Sequence, residues 1–207
     1  GSEKYILIFL SAMLPRWLRL LLLLLAEVGA SRLSAETQVA EVAALLGRIS
    51  PAFDLAASVD LRIEAGEGGG FFEISAPDDA GRHSATITAG NAVDLAAGAH
   101  WWLKYYLNCS VSWWGDQLDV LPAPGTPLPA LPPSFPSERH TTSYDFRYYM
   151  NVCTFGYSTA FWDWPRWERE IDWMALNGIN MPLAFVGQEY VFRQVLQEVG
   201  GLSDADI

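Results

Sequence analysis

Basic residues and cysteines are scarce in this chain of 207 residues. Lysine and arginine together number 13, against 24 aspartates and glutamates, and the formal net charge is −11 at pH 7. Nucleic acids are bound mainly through clustered lysines and arginines, so the composition argues against a nucleic-acid partner. Charged residues make up only 18% of the chain and hydrophobic residues 51%, which excludes a disordered chain. We expect a partner that is neutral or basic, and neither a metal nor a cofactor.

The two cysteines, Cys109 and Cys153, leave two alternatives open. In a secreted protein they would form a disulfide, and otherwise they are two separate buried thiols. Each lies in a segment with the apolar character of a buried strand. Asn108-Cys109-Ser110 also fits the acceptor pattern for N-glycosylation. Its place at a junction of helix and strand, flanked by aromatic residues, argues against an exposed loop.

The first 35 residues have the layout of a targeting segment. Lys4, Arg16 and Arg19 precede the apolar run at residues 20–26, and small residues follow near residues 30–35. This order is typical of a secretory signal peptide. An earlier apolar run at residues 5–14 leaves a second alternative, an uncleaved membrane anchor. A leader of either kind predicts entry into the secretory pathway and a lysosomal, vacuolar or extracellular location.

Residues 36–121 are predicted to form a small N-terminal α+β layer domain. Apolar residues that recur at spacings of three and four residues predict helices, and alternating apolar and polar residues predict strands. Helices are expected at residues 35–49 and 92–107, and strands at 71–76, 84–90, 110–113 and 117–121. The aromatic residues of this domain are interpreted as core or interdomain packing, with a sugar-stacking platform as the alternative. These residues are Trp101, Trp102, Tyr105, Tyr106, Trp113 and Trp114.

A proline-rich segment follows the N-terminal domain. Seven prolines occur among the sixteen residues from Leu121 to Pro136. Neither a helix nor a central strand tolerates that density of proline. We therefore predict an extended linker at residues 122–140.

Residues 141–207 are predicted to contain the first β/α units of a larger fold. A strand is expected at residues 146–153, and Asp163 and Pro165 are suited to begin the following helix. Asn177-Gly178 ends that helix, and "INMPLAFVG" is typical of a strand buried on both sides. "QEYVFRQVLQEVGG" predicts the next helix. Strand, helix and strand in this order form a βαβ unit.

The helix that starts near Asp163 is predicted to be amphipathic. Apolar residues recur along it at spacings of three and four residues, which predicts one bulky apolar ridge formed by Trp164, Trp167, Ile171 and Met174. Arg166 and Glu170 are expected to pair at i,i+4 on the outer side, and Glu168 and Asp172 are expected to face solvent.

Ligands of β/α folds bind beyond the carboxyl ends of the parallel strands. Asn151 and Cys153 come from the first predicted strand, and being two apart they would point to the same side of it. Gln188 and Glu189 follow the second strand. The sequence therefore places these four residues at the edge where a ligand is expected.

The segment "YYMNVCTFGYSTAFWDWPRWEREIDWMALNGINMPLAFVGQE" resembles the lysosomal α-N-acetylglucosaminidase family, glycoside hydrolase family 89. "ITAGNAVDLAAGAHWWLKYYLNCSVSW" resembles the same family more weakly. The resemblance implies a small α/β domain followed by a (β/α)8 TIM barrel, here truncated after its first units. It implies a retaining glycosidase that removes terminal α-linked N-acetylglucosamine from glycans such as heparan sulfate.

The family's motif is carried over position by position. It implies that Asn151 and Cys153 line the pocket for the terminal sugar, and that Tyr157, Gln188 and Glu189 lie beside it. The two catalytic glutamates of a retaining mechanism come from later barrel strands in the family. We therefore expect no catalytic residue in this chain, which would be the N-terminal portion of the enzyme and inactive alone. The alternative is a non-catalytic module that binds glycan or a protein partner.

Overall fold

A four-stranded mixed sheet lies at the centre of the N-terminal domain. The computed structural model of the protein describes residues 33–64, 70–78, 81–183 and 188–207, without the side chains of Phe155, Gln188 and Glu189. The strands are β1 (Asp60–Ile63), β2 (Gly70–Ser75), β3 (Thr86–Ala89), β4 (Ser110–Val111), β5 (Asp116–Gln117), β6 (Glu138–Thr142), β7 (Tyr148–Tyr149) and β8 (Met181–Pro182). The sheet order is β1-β3-β2-β6, with β1 parallel to β3 and the other two pairs antiparallel. The predicted leader at residues 1–35 lies almost wholly outside the described residues.

Helices α1 (Ala35–Ile49) and α2 (Ala92–Tyr106) pack against this sheet. The predicted bounds of α1 are confirmed, and Asn91 begins α2 as expected, with its side chain accepting a hydrogen bond from the Asp94 N–H. The core includes Ile74, Ile87 and Trp102, none of which is exposed. The predicted α+β layer domain is therefore confirmed, with β1 and β6 as strands that the sequence did not predict.

Gly98 allows α2 to lie close to the sheet. A Cβ atom at this position would be 2.8 Å from the Ile87 Cγ2 atom and 3.0 Å from the Phe72 Cβ atom. Both neighbours belong to strands of the sheet and cannot move far, so the close approach of α2 to the sheet requires a glycine at this position.

The proline-rich segment lies against the N-terminal domain. Leu128, Leu131 and Phe135 pack on its core, and the Leu131 N–H donates to the Ser84 carbonyl at 2.8 Å. The Ser84 hydroxyl donates to the Pro129 carbonyl at 2.9 Å. Strand β6 begins at Glu138, inside the range predicted for the linker. The segment is thus extended, and its part from Leu128 to Phe135 is held against the domain.

Strands β7 and β8 begin the second part of the fold and pair in parallel, with Tyr148 opposite Met181. Helix α3 (Trp164–Leu176) connects them, and α4 (Gln188–Glu198) follows β8. Asp163 begins α3, accepting from the Arg166 N–H at 3.1 Å, and Gly178 ends it with a left-handed φ of 72°. The strand-helix-strand-helix order predicted from the sequence is confirmed. Within the described residues the two strands are not closed into a barrel.

Two expectations about these strands are wrong. The strand predicted at residues 146–153 is confined to Tyr148–Tyr149, and Asn151 and Cys153 belong to a 3-10 turn. The Asn151 side chain bonds the local backbone and so competes with a strand ladder. The second strand is not buried on both sides in its described part, because Met181 and Pro182 are exposed; residues 184–187 of the predicted run lie outside the described residues.

Candidate functional site

The turn after β7 is built around Asn151. Its Oδ1 atom accepts the Cys153 N–H at 2.8 Å, and its carbonyl accepts the Thr154 hydroxyl at 2.6 Å. The 3-10 helix Val152–Gly156 begins there. Asn151 Nδ2 donates to no other described residue. The turn therefore fixes the orientation of the amide, and the side-chain N–H groups of Asn151 are not engaged by any other described residue.

The other predicted site residues lie on the same turn or after the neighbouring strand. Cys153 is exposed, contrary to the prediction of a buried strand, and Tyr157 is 77% exposed. Gln188 and Glu189 begin α4, with Gln188 five residues after Leu183, the last described residue that follows β8. Since β7 and β8 are parallel, their carboxyl ends lie at one edge. The Asn151 turn follows β7 directly, and Gln188 and Glu189 come after β8 along the chain.

Behind this edge a carboxylate on α3 is completely buried. The Glu170 side chain is 0% exposed and forms an ion pair with Arg166 at 3.0 Å. It accepts the Trp113 indole N–H at 3.1 Å (Oε1) and 3.0 Å (Oε2), and the Tyr149 hydroxyl at 2.9 Å. Burial, followed by this hydrogen bond, raises the pKa of Tyr149 to about 12. Glu170 therefore links the β4–β5 hairpin of the N-terminal domain to strand β7, which precedes the Asn151 turn.

A second carboxylate of α3 attaches the helix to α1. Arg48 donates to Asp172 through Nε at 2.8 Å and through Nη2 at 2.7 Å, which is a bidentate pair. The Asp172 side chain is only 5% exposed, so water screens the pair incompletely.

Two further contacts attach the second part of the fold to α2. Arg147, immediately before β7, donates to Asp94 at 2.6 Å and also bonds the Gly178 carbonyl. On the same helix the His100 ring lies between the Leu176 carbonyl, 3.0 Å from Nδ1, and the Val111 N–H, 3.4 Å from Nε2. Burial lowers the pKa of His100, which favours the neutral ring that such a pair of contacts requires.

Helix α3 is consequently buried on two opposite sides. Its buried residues fall into two pairs of positions four residues apart: Glu170 with Met174, and Asp172 with Leu176. The two pairs are offset by two residues, which on a helix corresponds to a rotation of roughly 200° about the axis, so they face nearly opposite sides. One side faces Tyr149 and Trp113, and the other faces α1 and the N-terminal core.

This arrangement corrects three predictions for α3. The Arg166–Glu170 pair is present, but Glu170 is buried rather than on the outer side. Asp172 does not face solvent, because Arg48 neutralises it from another helix. The apolar ridge is interrupted, since Trp164 and Ile171 are exposed. The only local sign that α3 is buried on two sides is an acidic residue at every second position from Glu168 to Asp172. A wholly exposed helix shows the same pattern equally well.

The described part of the chain shows neither a metal cluster nor a membrane span. Within it, no group of three or more His, Cys, Asp or Glu side chains is arranged to hold a metal ion. None of its helices has the length and apolar character needed to cross a bilayer. Cys109 and Cys153 are both free thiols.

The sequence matches two domains of one family. Residues 40–130 match the Alpha-N-acetylglucosaminidase (NAGLU) N-terminal domain, and residues 147–207 match the Alpha-N-acetylglucosaminidase (NAGLU) tim-barrel domain. Human Alpha-N-acetylglucosaminidase is 40% identical over 188 residues, which are 89% of this chain and 24% of the human protein. The chain therefore spans about a quarter of that relative.

Solved structures of a bacterial glycosidase are similar in fold. The family 89 glycoside hydrolase from Clostridium perfringens, in complex with 2-acetamido-1,2-dideoxynojirmycin, gives a TM-score of 0.66 at 32% identity. The match covers 83% of this chain and 18% of the bacterial one. The same figures hold for a form with two Glu-to-Gln substitutions bound to its substrate, GlcNAc-alpha-1,4-galactose. The chain thus belongs to the α-N-acetylglucosaminidase family, glycoside hydrolase family 89, and contains its N-terminal domain and the beginning of its TIM-barrel domain.

Proposed function

We propose that this chain is the N-terminal portion of a retaining glycosidase that removes terminal α-linked N-acetylglucosamine from glycans such as heparan sulfate. Its part in the reaction is to bind and orient the terminal sugar, and it is inactive alone. The two catalytic carboxyl groups come from later strands of the barrel. The enzyme acts in the secretory pathway, in a lysosome or vacuole or outside the cell.

The observation that carries this proposal is the parallel pairing of β7 with β8. The pairing puts the carboxyl ends of both strands at one edge, and barrel enzymes bind their substrates at such an edge, which supports a ligand site formed by the Asn151 turn and the start of α4. The relatives of this chain include an enzyme whose substrate ends in N-acetylglucosamine. An uncharged sugar also agrees with a rim that offers an amide, a thiol and a phenol.

Among these residues, Asn151 has the most clearly defined proposed role. Its Oδ1 atom is occupied by the Cys153 N–H, so its Nδ2 group is the one available to donate to a sugar hydroxyl or acetamide carbonyl. Tyr157, exposed on the same turn, offers a ring face and a hydroxyl. Cys153, Gln188 and Glu189 complete the proposed sugar contacts.

The test separates the local cap from the ligand contact. Asn151→Asp keeps the oxygen that caps the turn but removes the Nδ2 donor, whereas Asn151→Ala removes both. In the enzyme extended past Ile207, we expect Asn151→Asp to lower kcat/KM for a chromogenic α-N-acetylglucosaminide roughly 10- to 100-fold without loss of thermal stability.

Two results would contradict the proposal. One is full activity of the extended enzyme carrying Asn151→Asp. The other is turnover of the same substrate by the 207-residue chain, because it would place the catalytic carboxyl groups within this sequence.

An exposed aromatic residue favours a second candidate, a non-catalytic glycan-binding module. Trp114 is 91% exposed and packs edge-on against Trp113 at 5.1 Å. An exposed indole offers a large apolar face and one N–H donor to a ligand. Titration with N-acetylglucosamine, followed by tryptophan fluorescence, discriminates the two: a response lost in Trp114→Ala and kept in Asn151→Asp supports the module, and the reverse supports the enzyme.

A further inference from the structure

Asn108 lies in the exposed turn that follows α2. It has a left-handed φ of 54°, one residue after the residue that caps the helix. Asn108 itself is exposed, while Cys109 turns inward and is 1% exposed. The expectation that this junction of helix and strand is not a surface position is therefore wrong.

The amide of Asn108 is not engaged by the fold. Its side chain makes no hydrogen bond to any other residue that the structure describes. Asparagines elsewhere in the chain bond the backbone: Asn91 caps α2, Asn151 caps the turn after β7, and Asn180 bonds the two residues Asp145 and Arg147 just before β7. Covalent attachment at the Asn108 Nδ2 atom would break none of these contacts.

The third residue of the acceptor pattern is also compatible with modification. Ser110 supplies the hydroxyl that the pattern Asn-x-Ser requires, and the middle residue is not proline. The sequence contains this pattern once. In the folded chain the Ser110 hydroxyl donates to the Gln117 side chain at 3.2 Å, a contact made on the solvent side of the hairpin.

The oligosaccharide is transferred before the chain folds, so the folded turn at Asn108 has to leave room for it. Cys109 folds inward as a free thiol with its pKa raised by burial, and it makes no disulfide that would hold the segment differently. The Asn108 side chain stays on the outside of the same turn. The turn thus separates a buried anchor from an exposed acceptor.

We propose that Asn108 is an N-glycosylation site, carrying an asparagine-linked oligosaccharide on the surface at the end of α2. The proposal rests on the secretory location put forward above, because the transferase acts on chains that enter that pathway. It does not depend on the glycosidase activity. One consequence is a bulky, hydrophilic group beside the exposed aromatic residues of this region, including Tyr105.

The experiment is translation of the complete chain with endoplasmic-reticulum microsomes. The chain is made with its own first 34 residues and, in a second arm, behind a heterologous cleavable signal peptide. Only protease-protected chains are analysed, and mass is compared before and after removal of N-glycans by an amidase. We expect one glycan on wild type and on Ser110→Thr, and none on Asn108→Gln or Ser110→Ala. Asn177→Gln, at an exposed asparagine outside the pattern, serves as the matched control and should keep the glycan.

The arms distinguish the site from the compartment. Protected wild-type chains without a glycan behind the heterologous signal overturn the proposal, and so does a glycan that persists in Asn108→Gln. Modification with the heterologous signal but not with the natural first 34 residues supports the site and contradicts the secretory location. A glycosylated chain should keep the urea midpoint of the Asn108→Gln variant, and a large drop would show that the folded turn does not accept the modification.

Discussion

Replacing the buried Glu170 by glutamine should destabilise the folded chain by about 3–5 kcal/mol, the usual cost of breaking a buried ion pair. Glutamine keeps the shape but replaces one carboxylate oxygen by an NH2 group. The hydroxyl of Tyr149 can turn and accept from that group. The remaining oxygen then serves Trp113 and Arg166, both of which lose a charged acceptor.

The magnitude follows from these contacts. Hydrogen bonds to charged groups contribute about 1.5–3 kcal/mol each, and the two weakened bonds together reach the predicted range. Because the Arg166 side chain remains 31% exposed, water replaces part of its lost interaction. We therefore expect the lower end of the range, about 3 kcal/mol.

Urea unfolding followed by far-ultraviolet circular dichroism measures this loss. Glu168→Gln, on the same helix but half-buried, is the matched control and should change the free energy of unfolding by less than about 0.5 kcal/mol. A double-mutant cycle with Trp113→Phe, which removes the indole N–H and keeps a ring, should give a coupling energy of about 1–3 kcal/mol. Equal, small losses for the two glutamate variants and no coupling to Trp113 would refute the assigned role of Glu170.

Three other predictions concern glycine packing, pH and thiol reactivity. Gly98→Ala forces a methyl group against the sheet and should cost about 1–3 kcal/mol, whereas Gly47→Ala, with open space around it, should be neutral or stabilising by up to about 1 kcal/mol; equal urea midpoints would contradict this packing. The lowered pKa of His100 contributes stability above the unfolded pKa of about 6.5 that is lost as pH falls, because the unfolded chain then takes up a proton that the folded ring resists. His100→Gln should flatten the loss of stability between about pH 7 and pH 5, and an unchanged slope would argue against it. In the native chain a thiol reagent should label exposed Cys153 quickly and buried Cys109 only on unfolding; two fast thiols, or a fast thiol that remains in Cys153→Ser, would contradict the structure.

The sequence predicts best those features that a few neighbouring residues decide. Asn91 and Asp163 begin their helices, and Gly178 ends α3, because a cap or a left-handed residue acts within one turn of the chain. The strand-helix-strand-helix order follows from the same local patterns, whereas the site residues stay a prediction.

Features that depend on distant partners are not visible in the sequence. Glu170 is buried because Trp113, 57 residues away, reaches it, and Asp172 because Arg48, 124 residues away, neutralises it. A charged residue on a helix is normally solvated, so the local pattern favours the wrong face. Strand β6 was missed for a related reason: its polar residues suit an edge with one neighbouring strand, and nothing near it indicates that neighbour.

The proline-rich segment has a mechanical consequence. A flexible linker would let the second part of the fold move away from the N-terminal domain, but here Leu131 and Pro129 bond Ser84, just before β3, and α3 is buried on two sides. The edge formed by β7 and β8 is therefore held against the N-terminal domain without a hinge between them. A protease should find no preferred cleavage site between the two parts of the native protein.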